Sequence, residues 1–342
     1  MWYSKSTKRN NNKFLGGFKV MNYKTTRANK MRSRNGRPTS GHCVECGRLT
    51  SEEMGGTRVT IPSQTNGVWV CEAHRGKKNL RGYHVENSNV VGTITADKIT
   101  ISVELESLGY STHARAYLVK NQFIPTSDCT VDIEYKSPIY MSELPLAKIV
   151  GGIEYMDKNP NYKFSVNNNS CGIHTHYGFS DNRFDFTDLE YDYKELFYPL
   201  QYVVDLLTES SRIAIFGRDY QRYNRKCNFG YPNTHENWIN IQHTNTLEIR
   251  MPKFIDADRY MRFLKCFKKI FKALNTHYIE KCLEHGYSFS YSNKEKRKAF
   301  AIKAGIKMAK IFVKEYREHY RLSDEDFERI FKSMKNYLTN GR

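Results

Sequence analysis

Ile99-Thr-Ile-Ser-Val-Glu-Leu-Glu106 alternates apolar and polar side chains without a break, the period of a strand that rests one face on a core. Ile99, Ile101, Val103 and Leu105 fall on one side, and Thr100, Ser102, Glu104 and Glu106 on the other. Two carboxylates therefore project together. Three later runs have the same texture. Val131-Asp-Ile-Glu-Tyr-Lys136 sets Val131, Ile133 and Tyr135 against Asp132, Glu134 and Lys136. Cys171-Gly-Ile-His-Thr-His-Tyr-Gly178 sends His174 and His176 to one face, and Thr246-Leu-Glu-Ile-Arg-Met251 pairs Glu248 with Arg250 against Leu247, Ile249 and Met251. Between Lys98 and Phe254 such runs are punctuated by Gly, Pro and Asn clusters, so an antiparallel sheet is expected over 97–255. One helix interrupts it at Leu196 to Leu207, with Pro199 near its first turn.

Any one of these runs is what a solvated strand face looks like. The four together are not, because such faces are usually Thr, Ser, Lys and Gln, whereas these present Glu/Glu, Asp/Glu, His/His and Glu/Arg. Those groups bind hard divalent cations and phosphates. Gathered on one concave face they would repel one another unless cations neutralised them, so Mg²⁺ or Mn²⁺ is expected there.

After Asp256 the period becomes helical, with Phe263, Leu264, Phe267, Ile270, Phe271 and Leu274 in one stripe. A second helix is expected from about Lys294 to Tyr320. A third opens on Ser323-Asp-Glu-Asp326, a variant capping box, and runs through Phe327, Ile330, Phe331, Met334 and Leu338. The region 256–342 thus reads as helical, and the fold class as α+β: an antiparallel sheet with a concave catalytic face, C-terminal helices and a small N-terminal module.

Toward the N-terminus the texture is different. Residues 1–40 carry eleven Lys/Arg and no acid, and 1–41 reads as a flexible basic tail with too few apolar positions to offset its ordering entropy. The chain has 342 residues and a formal net charge of +18, and charge clustered in this way favours nucleic acid or another polyanion, although a basic proteome would produce it without such a partner. Over 42–80, Cys43-x2-Cys46, a 24-residue loop, and Cys71-x2-His74 supply three thiolates and an imidazole in two close pairs, the spacing of a closed tetrahedral structural Zn²⁺ site. Short strands are expected inside that loop at Thr57 to Ile61 and Val68 to Val70. The remaining cysteines, scattered through a large chain without a secretory signal, do not suggest a disulfide framework. No run approaches the roughly 18 apolar residues of a spanning helix, so no membrane association and a cytoplasmic location are expected.

Four motifs in order resemble the amidoligase family, relatives of glutamate–cysteine ligase and glutamine synthetase, over about Ile99 to Leu274. Val103-Glu-Leu-Glu106 looks like the family's Gly-Val-Glu-x-Glu strand. Asp128-Cys-Thr-Val with Glu134 and Ser137-Pro138 is similar to its Asp-Gly-Ser segment, Cys171-Gly-Ile-His-Thr-His176 to its Cys-Gly-hydrophobic-His-x-His strand, and Thr246-Leu-Glu-Ile-Arg250 to its Thr-hydrophobic-Glu-x-Arg strand. A zinc knuckle often precedes such domains. Cys129, Thr175 and Met251-Pro-Lys-Phe254 depart from the pattern, and they bear on substrate choice more than on the metal site. The resemblance implies an amidoligase-like domain over 97–342 that joins a carboxylate to an amine, small molecule or peptide, using ATP through an acyl phosphate. It implies Glu104, Glu106, Glu134 and Glu248 as Mg²⁺ ligands and His174 or His176 as a ligand or phosphate contact. Arg250 would stabilise transferred phosphate. Arg218 and Arg225 either complete a phosphate or carboxylate clamp or belong to a solvated basic loop.

Two other readings compete. His174-Thr-His176 followed by Tyr177 superficially looks like the His-hydrophobic-His motif of rolling-circle replication initiators, which would make the chain a metal-dependent nucleic-acid enzyme. The alternative to catalysis is a zinc-containing nucleic-acid-binding protein on a decayed enzyme fold.

Overall fold

The structure, a computed structural model, describes residues 99–340 apart from 110, 127–130, 222–223, 233 and 287–292, together with strand segments at 40–42, 49–51, 57–59, 68–70 and 90–91. It is α+β, with an antiparallel sheet and C-terminal helices. Two small antiparallel pairs come first: β1 (Ser40–His42) with β2 (Leu49–Ser51), and β3 (Thr57–Val59) with β4 (Val68–Val70). The strands expected at 57–61 and 68–70 are thus present, and β1 begins within the last residues of the expected tail. Cys43, Cys46, Cys71 and His74 lie outside the described residues, as does most of 1–41.

The central sheet has eight strands among the described residues. They are β5 (Val90–Val91), β6 (Ile99–Ser107), β7 (Ile124–Thr126), β8 (Ile133–Lys136), β9 (Ile139–Tyr140), β10 (Ile173–Phe179), β11 (Ile239–Asn240) and β12 (Thr246–Ile249). The order is β11-β12-β10-β6-β8-β7, with β9 continuing the β8 edge of β6 and β5 lying parallel to β9. Every other pairing is antiparallel. Register fixes which side chains share a face, since residues directly opposite across an antiparallel pair project the same way. Ile99, Ile101, Val103 and Leu105 of β6 join Ile133, Tyr135, Ile173, Tyr177, Leu247 and Ile249 in one core, every one of them buried.

Helices cover that apolar face. Ala257–Leu274, capped by Asp256 accepting from Arg259 N at 2.8 Å, buries the stripe Phe263, Leu264, Phe267, Ile270, Phe271 and Leu274. It is fastened to β10 by the Thr175 and Tyr260 hydroxyls at 2.9 Å and by Tyr177 OH donating to Leu264 O at 3.1 Å. Lys294–Glu315 and Asp324–Asn340 follow, the latter capped by Ser323 Oγ accepting from Asp326 N. No helix among the described residues is long and apolar enough to cross a membrane.

The structure corrects four details of the expected elements. The helix around Pro199 starts at Tyr193, so the proline is interior rather than in the first turn. The second C-terminal helix stops at Glu315, and a 3-10 turn at Arg317–His319 replaces its expected end. Helices at Thr112–Lys120, Leu144–Lys158 and Glu209–Phe216 interrupt the strand-rich region. Asp132 precedes β8 and is exposed; its carboxylate accepts from Gly109 N at 2.6 Å, so it does not join Glu134 on the polar face.

Candidate metal centre

The polar face of the sheet is set by register. Glu104 stands opposite His174 on one side and Lys136 on the other; Glu106 is opposite Glu134, and His176 is opposite Glu248. Thr126 pairs with Glu134 and Asn240 with Glu248. Residues as far apart in sequence as Glu104 and Glu248 therefore meet because β10 lies between β6 and β12. Glu106, Glu134, His174, His176 and Glu248 are all buried, Glu248 completely.

The side chains interlock closely. His174 Nδ1 lies 3.3 Å from Glu248 Oε1 and 3.5 Å from Glu104 Oε2, its Nε2 is 3.6 Å from Glu106 Oε1, and His176 Nε2 is 3.7 Å from Glu104 Oε1. None of these contacts has hydrogen-bond geometry, and His174 Nδ1 and His176 Nε2 are buried nitrogens without a hydrogen-bond partner. Buried polar atoms are almost always satisfied, so two orphaned imidazole nitrogens aimed at carboxylates are what ligands awaiting an ion would look like. The ligand atoms of Glu104, Glu134 and His174 lie within 4.8 Å of one another, and so do those of Glu104, His176 and Glu248. At that separation two carboxylates repel by about 3 kcal/mol at an effective dielectric constant near 20. The donor set, carboxylate oxygens with one imidazole each, fits a Mg²⁺- or Mn²⁺-type ion.

The electrostatics show the same tension. Burial pushes the Glu134 carboxyl up, and the neighbouring Glu104 charge adds to it, bringing it to about 7. Burial also opposes ionisation of Glu104, but His176, His174 and Lys136 outweigh it and hold that carboxyl well below its usual range. Glu248 is held low against its own burial by Arg250, His243 and the two site histidines. Its Oε1 accepts from Arg250 at 2.8 Å, and its Oε2 from Asn240 at 2.6 Å and His243 at 3.1 Å. Burial and Arg250 disfavour a charged His174, yet Glu106, Glu104 and Glu248 prevail and raise it.

The expected residues divide as follows. Glu104, Glu134, His174, His176 and Glu248 converge, with Arg250 bound to Glu248. Glu106 adjoins them but belongs to neither ligand set, because its Oε2 accepts the Gly172 N–H. Gly172 permits that approach: a Cβ there would meet Arg218 Nη2 at 2.5 Å and His174 Nε2 at 3.0 Å. Arg218 is therefore at the rim, donating to Met251 O and Pro252 O, and burial lowers its guanidinium to about 10. Arg225 does not join. It is largely exposed and paired with Glu236 at 2.9 Å. Tyr177 faces the opposite side of the sheet, against Leu264. Asn240 and His243, which share Glu248, were not expected from the sequence; a polar residue two before and five before a strand glutamate carries no periodic signal. Asp128 and Cys129 lie outside the described residues. No family model, curated protein or solved structure matches this chain.

Proposed function

We propose that the chain is an ATP- and Mg²⁺-dependent ligase that joins a carboxylate to an amine through an acyl phosphate, on a glutamine synthetase/glutamate–cysteine ligase-like sheet. The observation that carries this reading is the convergence of Glu104, Glu134, His174, His176 and Glu248 from four strands on one buried face. Glu104 with Glu134 and His174, or with His176 and Glu248, would hold the divalent ion, which supplies charge neutralisation to phosphate oxygens. Arg250 and Arg218 are the buried guanidinium groups beside it and suit the charge that develops on a transferred phosphoryl group. The proposed substrates are a small-molecule or peptide carboxylate and amine. Cys43, Cys46, Cys71 and His74 are proposed as a separate structural Zn²⁺ site.

The test is ADP release from Mg²⁺-ATP in amino-acid mixtures, with mass spectrometry for products lighter than their summed substrates by one water. Glu104→Gln and Glu248→Gln should each lower turnover by at least about 100-fold, the scale of losing one electrostatic contact to the transition state. Absence of ADP release across a broad mixture, with nucleic-acid affinity unchanged in both variants, would replace this reading with the non-catalytic binding protein. Single-stranded DNA covalently attached to a tyrosine would replace it with the replication-initiator reading.

A further inference from the structure

Two ligand sets share Glu104, and the structure treats them differently. In the set of Glu104, Glu134 and His174 a cation already stands between the carboxylates: Lys136 Nζ is 2.8 Å from Glu104 Oε1 and 3.9 Å from Glu134 Oε2. Lys136 is opposite Glu104 across β6 and β8 and two residues from Glu134 on the same face, so the strand register itself delivers the ammonium there. Thr126 Oγ1 donates to Glu134 Oε2 at 2.8 Å and occupies more of that carboxylate. A divalent ion and an ammonium about 4 Å apart on the same carboxylates would repel by about 8 kcal/mol at an effective dielectric constant near 20.

The set of Glu104, His176 and Glu248 is arranged otherwise. His176 Nδ1 is 3.1 Å from Thr246 Oγ1, and the tautomer in which Nδ1–H donates to that hydroxyl leaves the buried Nε2 as a lone-pair donor facing the carboxylates. An imidazole whose second nitrogen is fixed by an outer partner is the usual form of a histidine ligand. Arg250 touches one member of this set, Glu248, from the side, and bridges no two of its ligands. Glu104 can serve both neighbours, since an ionised carboxylate offers about four lone-pair sites.

We infer that this chain holds a single divalent cation, between Glu104, His176 and Glu248, and that Lys136 stands as a built-in monovalent cation where a second would bind. The inference concerns the same face as the ligase reading and deepens it, but it is tested separately.

The experiment is a Mn²⁺ titration of the full chain, counting bound ions from the loss of the free Mn²⁺ electron paramagnetic resonance signal. One tight ion per chain is expected. His176→Gln should weaken it by at least tenfold, Thr246→Val should weaken it about tenfold with the count unchanged, and Glu134→Gln should leave count and affinity within about threefold of the parent. Lys136→Met should bind a second ion, and Lys136→Arg should remain at one. Two tight ions in the parent, none in the parent, loss of binding in Glu134→Gln, or unchanged affinity in His176→Gln would each overturn the inference. The Glu134 and His176 results decide it even if the neutral Lys136 variant does not fold. One ion in this pattern without ATP consumption would keep the inference and remove the ligase reading; two ions with ATP consumption would do the reverse.

Discussion

Gln201 uses every hydrogen-bonding atom of its side chain, and it does so at 3% exposure. Its Nε2 donates to Asp205 Oδ1 at 3.0 Å and to Tyr220 OH at 2.7 Å, while its Oε1 accepts from Cys227 N at 2.9 Å and from Trp238 Nε1 at 2.7 Å. Trp238 is fully buried and immediately precedes β11, which carries Asn240 to the metal centre. Gln201→Leu keeps the volume but leaves the Cys227 amide and the Trp238 indole N–H without an acceptor. Two such losses should cost about 2–4 kcal/mol, read as a lower urea midpoint at unchanged slope. A midpoint that did not move would mean the two donors find other partners. This network was invisible in the sequence because its partners are 26 and 37 residues away from Gln201 and follow no period. The site histidines were legible for the opposite reason: His174 and His176 sit two apart in a strand, where spacing alone fixes a shared face. Lys136 was placed on that face too, but not its position between Glu104 and Glu134, which needs the β6–β8 register.

Elements show the same division. The four site strands were readable because each alternates strictly, whereas Leu144–Lys158 hides a helical stripe of Leu146, Ile149, Val150, Ile153 and Met156 within a region whose neighbours are strands. Tertiary packing also decided where the Tyr193–Leu206 helix begins. Pro199 cannot donate to the Glu195 carbonyl one turn earlier, and that carbonyl is where the Lys294–Glu315 helix crosses. Gly305 makes the crossing possible, since a Cβ on it would come within 2.5 Å of Glu195 O, 2.7 Å of Leu196 O and 3.1 Å of Pro199 Cγ. The first two atoms are backbone and cannot swing aside. Gly305→Ala should therefore separate the two helices and destabilise the protein by about 2–3 kcal/mol despite the better helix propensity of alanine. Thermal melting is the measurement, and an unchanged or raised midpoint would refute the close crossing. The same sheet–helix economy accounts for Thr175, where the amidoligase pattern has an apolar residue: its hydroxyl meets that of Tyr260. In a double-mutant cycle, Thr175→Val and Tyr260→Phe should each cost about 1 kcal/mol and together less than their sum.

At the scale of the whole molecule, positive charge is unevenly distributed along the chain. Residues 1–40 supply eleven positive charges and no negative ones, more than half of the net +18. The metal centre instead gathers four carboxylates, Glu104, Glu106, Glu134 and Glu248, around Lys136, Arg218 and Arg250. A polyanion is drawn to the first region, and a divalent cation to the second. The two should be separable by deletion. If about half of the tail's charges meet phosphates on single-stranded nucleic acid, the slope of log K against log salt changes by roughly 4 when they are removed. Removing residues 1–41 should accordingly weaken binding of single-stranded DNA or RNA by tenfold or more at low salt and flatten its salt dependence. The melting midpoint and the Mn²⁺ count should stay as they are, because the core and the four site strands lie within 99–340. Filter binding at several matched salt concentrations measures the first effect. Equal affinity and equal slope in the two chains would assign the polyanion-binding surface, if the protein has one, to the basic side chains of the folded region instead.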